Sequence, residues 1–117
     1  MAKKILIVDD EEDIRVFLNA VLQKAGYETV IACDGVEARN AVKADKPDLI
    51  TLDLQMPKNS GTDFYRGIRR DPELKSIPVI VVSGLPGRHL ALPEPFAVFD
   101  KPIDPDQLLK KVQEAIG

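Results

Sequence analysis

The chain has 117 residues, of which 44% are hydrophobic and 30% are charged, a balance typical of one soluble domain spanning residues 1–117. Its 16 Lys and Arg residues against 19 Asp and Glu residues leave a net charge of −3, which argues against a nucleic-acid-binding surface. The single cysteine, Cys33, cannot form an internal disulfide, and the longest apolar runs are far shorter than the ~20 residues of a membrane span. We therefore expect a cytoplasmic protein that does not enter a membrane.

Short apolar runs alternate with amphipathic segments along the chain. The apolar runs predict five strands, at residues 5–8, 28–33, 48–53, 78–83 and 96–100. Apolar residues at helical spacing predict helices at residues 14–25, 36–43 and 61–70, the first with Phe17, Leu18 and Leu22 on its buried side. Asp104-Pro105 predicts the start of a last helix, because Asp is a favoured N-cap and Pro fits the first helical position.

The segment between the fourth and fifth strands breaks this pattern. Residues 84–95 contain Pro86, Pro93 and Pro95 together with two glycines, so we expect a degenerate fourth helix of at most one turn. Elsewhere strands and helices alternate, which predicts an α/β protein with a doubly wound parallel sheet. For five strands, the flavodoxin-like order 2-1-3-4-5 is the leading choice, with the ligand site beyond the carboxyl ends of the strands.

Polar residues stand at the carboxyl ends of four predicted strands. They are Asp9 with Asp10, Asp53, Ser83 and Lys101. Because these ends meet at one edge of a parallel sheet, the three carboxylates there repel one another unless a cation lies between them. Mg²⁺ suits such a site, since it takes a few protein oxygens and keeps positions for water and phosphate. A lysine and a hydroxyl would hold phosphoryl oxygens, so the combination suggests attack by a carboxylate on phosphorus.

The chain resembles the receiver domain of two-component response regulators, the CheY-like family, over essentially its whole length. The residues that carry the resemblance are Ile5–Asp10 followed by Glu11–Arg15, then Asp48–Asp53, Met56-Pro57 with Gly61, Pro78–Ser83, and Lys101-Pro102. The resemblance implies a phosphorelay module that takes a phosphoryl group from a sensor histidine kinase or a phosphotransfer protein. Such a module catalyses only its own phosphorylation and dephosphorylation, and it changes a surface that binds a downstream output protein.

The resemblance also implies a magnesium site. Asp10, Asp53 and the backbone carbonyl of Gln55 would bind Mg²⁺ directly, and Asp9 would help through a water molecule. Mg²⁺ is the one cofactor that it implies.

The resemblance further assigns the residues that handle the phosphoryl group. Asp53 would accept it, the Ser83 hydroxyl would move onto it, and Lys101 would pair with the acyl phosphate. Pro102 would follow a cis peptide bond that aims Lys101 into the cleft.

The chain departs from the family pattern near the fifth strand. Many receivers carry Tyr or Phe three residues before the lysine, where this chain has Val98, and Phe99 should point to the opposite face. Together with the proline-broken segment, this change predicts that phosphorylation acts by ordering or moving residues 84–95. It also predicts a chain that lacks the family's dimer on this surface, so we expect a monomer.

Three other functions are compatible with the predicted fold. A Mg²⁺-dependent phosphohydrolase would need a second acid two residues after the nucleophile, where this chain has Gln55. A flavin-binding module would need a phosphate loop after the first strand, where the acids of Asp9–Asp13 would repel the flavin phosphate. A receiver-like domain that only binds would not need the complete acceptor set. Cys33, at the end of the second strand, is expected to be a small buried residue.

Overall fold

The structure is a computed structural model that describes residues 2–54, 56, 60–83, 95–101 and 103–117, with the backbone alone at Ser60 and Ser83. Within these ranges the strands are β1 (Lys4–Val8), β2 (Glu28–Ala32), β3 (Leu49–Asp53), β4 (Val79–Ser83) and β5 (Ala97–Asp100). The helices are α1 (Glu12–Lys24), α2 (Gly35–Asp45), α3 (Ser60–Arg70) and α4 (Pro105–Ile116). None of the helices in the described ranges is long and apolar enough to cross a membrane.

The five strands form one sheet in the order β2-β1-β3-β4-β5, and all four pairings are parallel. The predicted flavodoxin-like topology is therefore confirmed. The register sets Val8 of β1 beside Leu52 of β3, and Asp53 beside Val82 of β4, so the chain leaves these strands at one edge of the sheet. The predicted degenerate helix falls on residues 84–94, which lie outside the described residues, and it stays a prediction.

Apolar side chains cover both faces of the sheet, which explains the continuous apolar runs in the sequence. Leu6 and Val8 of β1 point into a layer closed by α2 and α3, whereas Ile5 and Ile7 point into a layer closed by α1 and α4. The same alternation on β5 sends Val98 to the first layer and Phe99 to the second, as predicted. Burying such side chains contributes about 1.5–3 kcal/mol each relative to exposure.

The helix ends follow local chemistry. The Asp34 side chain accepts a hydrogen bond of 2.8 Å from the Glu37 amide and caps α2, and Asp104 caps α4 in the same way ahead of Pro105. After α1, Gly26 adopts a φ of 99°, a left-handed conformation that costs glycine little. In the structure, α1 begins two residues earlier than predicted and α2 begins one residue earlier than predicted.

Two burial predictions are wrong. Leu18 and Leu22 are buried as predicted, but Phe17 is 38% exposed, because it lies one residue around the helix from Leu18 and flanks the contact with the sheet. Cys33 is half-buried rather than buried, since it lies directly after β2, in the turn that leads to α2.

Candidate acidic phosphoacceptor site

The carboxyl ends of β1 and β3 bring two buried acids together. Asp9 follows β1 and Asp53 ends β3, and each is only 1% exposed. The register places both strands side by side, so these carboxylates lie at the same edge of the sheet. Charged groups are seldom buried unless other charges or a metal compensate them, so this pair marks a functional site.

Lys101, just after β5, reaches across the edge to both acids. Its Nζ lies 3.2 Å from Asp9 Oδ2, 3.4 Å from Asp53 Oδ2 and 3.1 Å from Glu11 Oε1. Its side chain is 12% exposed, so water screens these contacts only in part. Burial alone would lower the pKa of Lys101, but the Asp9 and Asp53 carboxylates outweigh it and hold that pKa above its usual value.

Main-chain and side-chain hydrogen bonds fix the loop between β1 and α1. The amide of Asp9 donates to the carbonyl of Ala32 at 3.1 Å, which continues the pairing of β1 with β2. Asp9 Oδ1 accepts from the Glu11 amide at 2.9 Å, and the Asp9 carbonyl accepts from Arg15 Nη1 at 2.7 Å. Even so, burial raises the pKa of Asp9, more than the Glu11 amide and the Lys101 charge lower it.

Four carboxylates converge at this edge. Asp9, Asp10, Glu11 and Asp53 each offer an oxygen, and these oxygens all lie within 4.8 Å of one another. Lys101 supplies one positive charge against four negative ones, so the donor set fits a hard, oxygen-preferring divalent cation. The sequence pattern missed Glu11, although the unbroken acidic run from Asp9 to Asp13 was the available signal.

A close backbone contact explains the glycine that starts α3. A Cβ on Gly61 would lie closer than 3.0 Å to the Asp53 carbonyl oxygen and 3.2 Å from the Cα of Leu54. Only glycine lets α3 begin against the strand end that carries Asp53. Gly61 thus helps to set the position of the acid itself.

Four of the predicted site residues are brought together by the structure: Asp9, Asp10, Asp53 and Lys101. Gln55 and Pro102 lie outside the described residues, as does the side chain of Ser83. The roles predicted for these three therefore stay predictions.

An open parallel α/β sheet of this kind binds its ligands beyond the carboxyl ends of the strands, where this chain carries clustered acids and a lysine. The family model for the response regulator receiver domain matches residues 5–113, and the chain belongs to this family. The predicted resemblance is confirmed, and the chain is a receiver domain of two-component signalling.

Individual relatives agree with this membership. The chain is 34% identical over 117 residues to protein Rrf1 of Nitratidesulfovibrio vulgaris, an alignment that covers 100% of this chain and 85% of Rrf1. It is 38% identical over 115 residues to the autoinducer sensor kinase/phosphatase CqsS of Vibrio cholerae, covering 94% of this chain and 17% of CqsS. Its fold matches the chemotaxis protein CheY4 of Vibrio cholerae with a TM-score of 0.88 and 30% identity, covering 98% and 99% of the two chains.

Proposed function

We propose that Asp53 receives a phosphoryl group from a sensor histidine kinase or a phosphotransfer protein, in a reaction that depends on Mg²⁺. The observation that carries this proposal is the buried Asp53 carboxylate, 3.4 Å from Lys101 Nζ and within 4.8 Å of three other carboxylates. An acid in this position combines a nucleophilic oxygen with a fixed positive charge and a donor set for a cation.

The proposed transfer needs few covalent steps. An oxygen of Asp53 forms a bond to phosphorus while the bond from phosphorus to the donor's imidazole nitrogen breaks, and the electron pair stays with that nitrogen, which takes a proton. Negative charge on the phosphoryl oxygens is then stabilised by Lys101, whose raised pKa keeps it protonated. Membership of the family supports Ser83 as the hydroxyl that contacts these oxygens.

The residues that would hold Mg²⁺ are Asp10, Asp53 and the carbonyl of Gln55, with Asp9 acting through water. Bound Mg²⁺ would offset the carboxylate charge and the charge of the incoming phosphoryl group. Glu11 belongs to the same cluster of oxygens and is available as a further acceptor for metal-bound water.

We propose a signalling module rather than a phosphohydrolase, located in the cytoplasm and spanning residues 1–117 as one monomeric domain. Gln55 stands where a phosphohydrolase would carry its general acid, which argues against that class of enzyme. The output would be a changed surface that binds a downstream protein rather than nucleic acid or a membrane.

Intact-mass spectrometry tests the central assignment. The wild type, incubated with Mg²⁺ and a small-molecule phosphodonor, should gain the mass of one phosphoryl group. Asp53→Asn keeps the side-chain shape but removes the nucleophilic oxygen, so it should gain none. Asp48→Asn is the matched control, because Asp48 lies beside β3 at its other end, where it accepts a 2.8 Å hydrogen bond from the Lys4 amide. Equal labelling of Asp53→Asn and wild type would refute the assignment.

A further inference from the structure

Arg15 contacts the acidic site through the backbone of Asp9. It lies in the first turns of α1, and its Nη1 donates a 2.7 Å hydrogen bond to the carbonyl of Asp9. The Arg15 amide donates to the Glu11 carbonyl at 3.1 Å, which is the first backbone hydrogen bond of α1. The guanidinium thus folds back over the loop that carries Asp9 and Asp10.

A second group of acids lies in the turn between β2 and α2. Glu37 Oε1 accepts hydrogen bonds from the Cys33 amide at 3.0 Å and from Cys33 Sγ at 3.1 Å, and Asp34 caps the helix beside it. The two hydrogen bonds from Cys33 lower the pKa of Glu37, and the Arg15 charge adds to that effect. The hydrogen bond to the Asp9 carbonyl is therefore the contact through which Arg15 acts on the site.

Three hydrogen bonds hold Asp9, in addition to its contact with Lys101. The Asp9 amide donates to the Ala32 carbonyl, and the Asp9 side chain accepts from the Glu11 amide. The third comes from Arg15, and it holds the carbonyl at the point where the chain leaves β1. A guanidinium offers several donors in a fixed plane, which suits an arginine that must hold a backbone carbonyl in one position.

We propose that Arg15 is a positioning residue of the acidic site, fixing the loop in the conformation in which Asp9 and Asp10 face a divalent cation. This inference rests on the proposed function, because it assumes that the site binds Mg²⁺. Arg15 would act on the metal site without being a ligand, because its side chain donates a hydrogen bond to the backbone carbonyl of Asp9.

The position and the charge of Arg15 predict opposite effects on Mg²⁺ binding. If its charge alone mattered, removing a nearby positive charge would strengthen the binding of a cation. If its hydrogen bond positions the loop, removing it should weaken binding, by about tenfold, the lower end of the range for residues that orient metal ligands. The sign of the change therefore separates the two explanations.

The test is titration of the full chain with Mg²⁺, followed by amide chemical shifts in solution NMR. We expect Arg15→Met to bind about tenfold more weakly than wild type, and Arg15→Lys to fall between them, since lysine keeps the charge but lacks the planar donor set. Arg66→Met, on the exposed face of α3, is the matched control and should bind as wild type does.

The outcomes are distinct. Binding by Arg15→Met that equals or exceeds that of wild type would overturn the positioning role while leaving the proposed function intact. A wild type that does not respond to millimolar Mg²⁺ would overturn the magnesium site itself. If Arg15→Met unfolds at the titration temperature, Arg15→Lys decides the question, and wild-type affinity in that variant would contradict the inference.

Discussion

Gly61 offers the sharpest test of how the fold positions Asp53. Replacing it with alanine adds one methyl group at the start of α3. That Cβ would lie closer than 3.0 Å to the carbonyl oxygen of Asp53, with the Cα of Leu54 at 3.2 Å and the Cε of Met56 at 3.3 Å. The two nearest neighbours are backbone atoms, which cannot rotate away, so either α3 or the end of β3 must move.

Two opposing effects set the expected size of the change. Overpacking a close contact typically costs about 1–3 kcal/mol, and the rigid backbone at this contact favours the upper half of that range. Replacing glycine by alanine within a helix contributes about 0.5–1 kcal/mol in the other direction. We therefore expect Gly61→Ala to lower the free energy of unfolding by about 1–2 kcal/mol. Phosphorylation should also become slower, because the carbonyl oxygen in this close contact belongs to Asp53, the proposed acceptor residue.

Gly67 is the matched control, since it lies on the same helix and a Cβ there would meet nothing within 4 Å. Gly67→Ala should raise the free energy of unfolding by about 0.5–1 kcal/mol. Urea denaturation measures the free energy of unfolding of both variants and of wild type, and the comparison is valid if all three proteins have the same slope m. If Gly61→Ala proves as stable as Gly67→Ala and is phosphorylated at the wild-type rate, the close contact does not position Asp53 and the reasoning is wrong.

Three further predictions concern the site and its surroundings. Mg²⁺ should stabilise the fold by roughly 2.7 kcal/mol at a hundredfold excess over Kd. Asp10→Asn should have a higher melting temperature than wild type without Mg²⁺, and its melting temperature should rise less when Mg²⁺ is added. A wild-type melting temperature that does not change with Mg²⁺ would contradict this prediction. Thr51 is buried, and its hydroxyl has no hydrogen-bond partner among the described residues. Thr51→Val should therefore raise the free energy of unfolding by about 1 kcal/mol. A lower free energy of unfolding in this variant would show that the hydroxyl does form a hydrogen bond. The hydrogen bond to Glu37 raises the pKa of the Cys33 thiol. Glu37→Gln should therefore shift the pH profile of Cys33 alkylation to lower pH, and an unmoved profile would disprove that cause.

The strands and their order were predictable because burial on both faces leaves a strong local pattern. Val79–Val82 is apolar at every position, and both faces of that strand are covered. The ends of helices were less predictable. Glu12 and Asp13 begin α1 without any apolar residue, although acidic side chains suit a helix N-terminus, and Ala44-Asp45 extend α2 in the same unmarked way.

The site was predictable as a set of strand ends but not as a set of contacts. Asp9, Asp53 and Lys101 meet because parallel strands end at one edge, a consequence of topology alone. The pairing of Lys101 with Glu11 joins residues 90 positions apart and depends on how two side chains cross the edge. No periodicity encodes such a contact. Cys33 was misjudged for a related reason, since its thiol finds Glu37 in the next helix instead of the core.

The geometry of the acidic site implies that local backbone structure holds the acids together against their own repulsion. Lys101 offsets only part of the charge of four carboxylates, so the cluster opposes folding. What holds it are backbone constraints on each side: the hydrogen bonds of Asp9 at the start of α1, and the close approach of Gly61 at the start of α3. These two helices lie on opposite faces of the sheet. Any ligand that relieves the repulsion therefore acts at both junctions at once, and we expect its effect to reach both faces of the sheet.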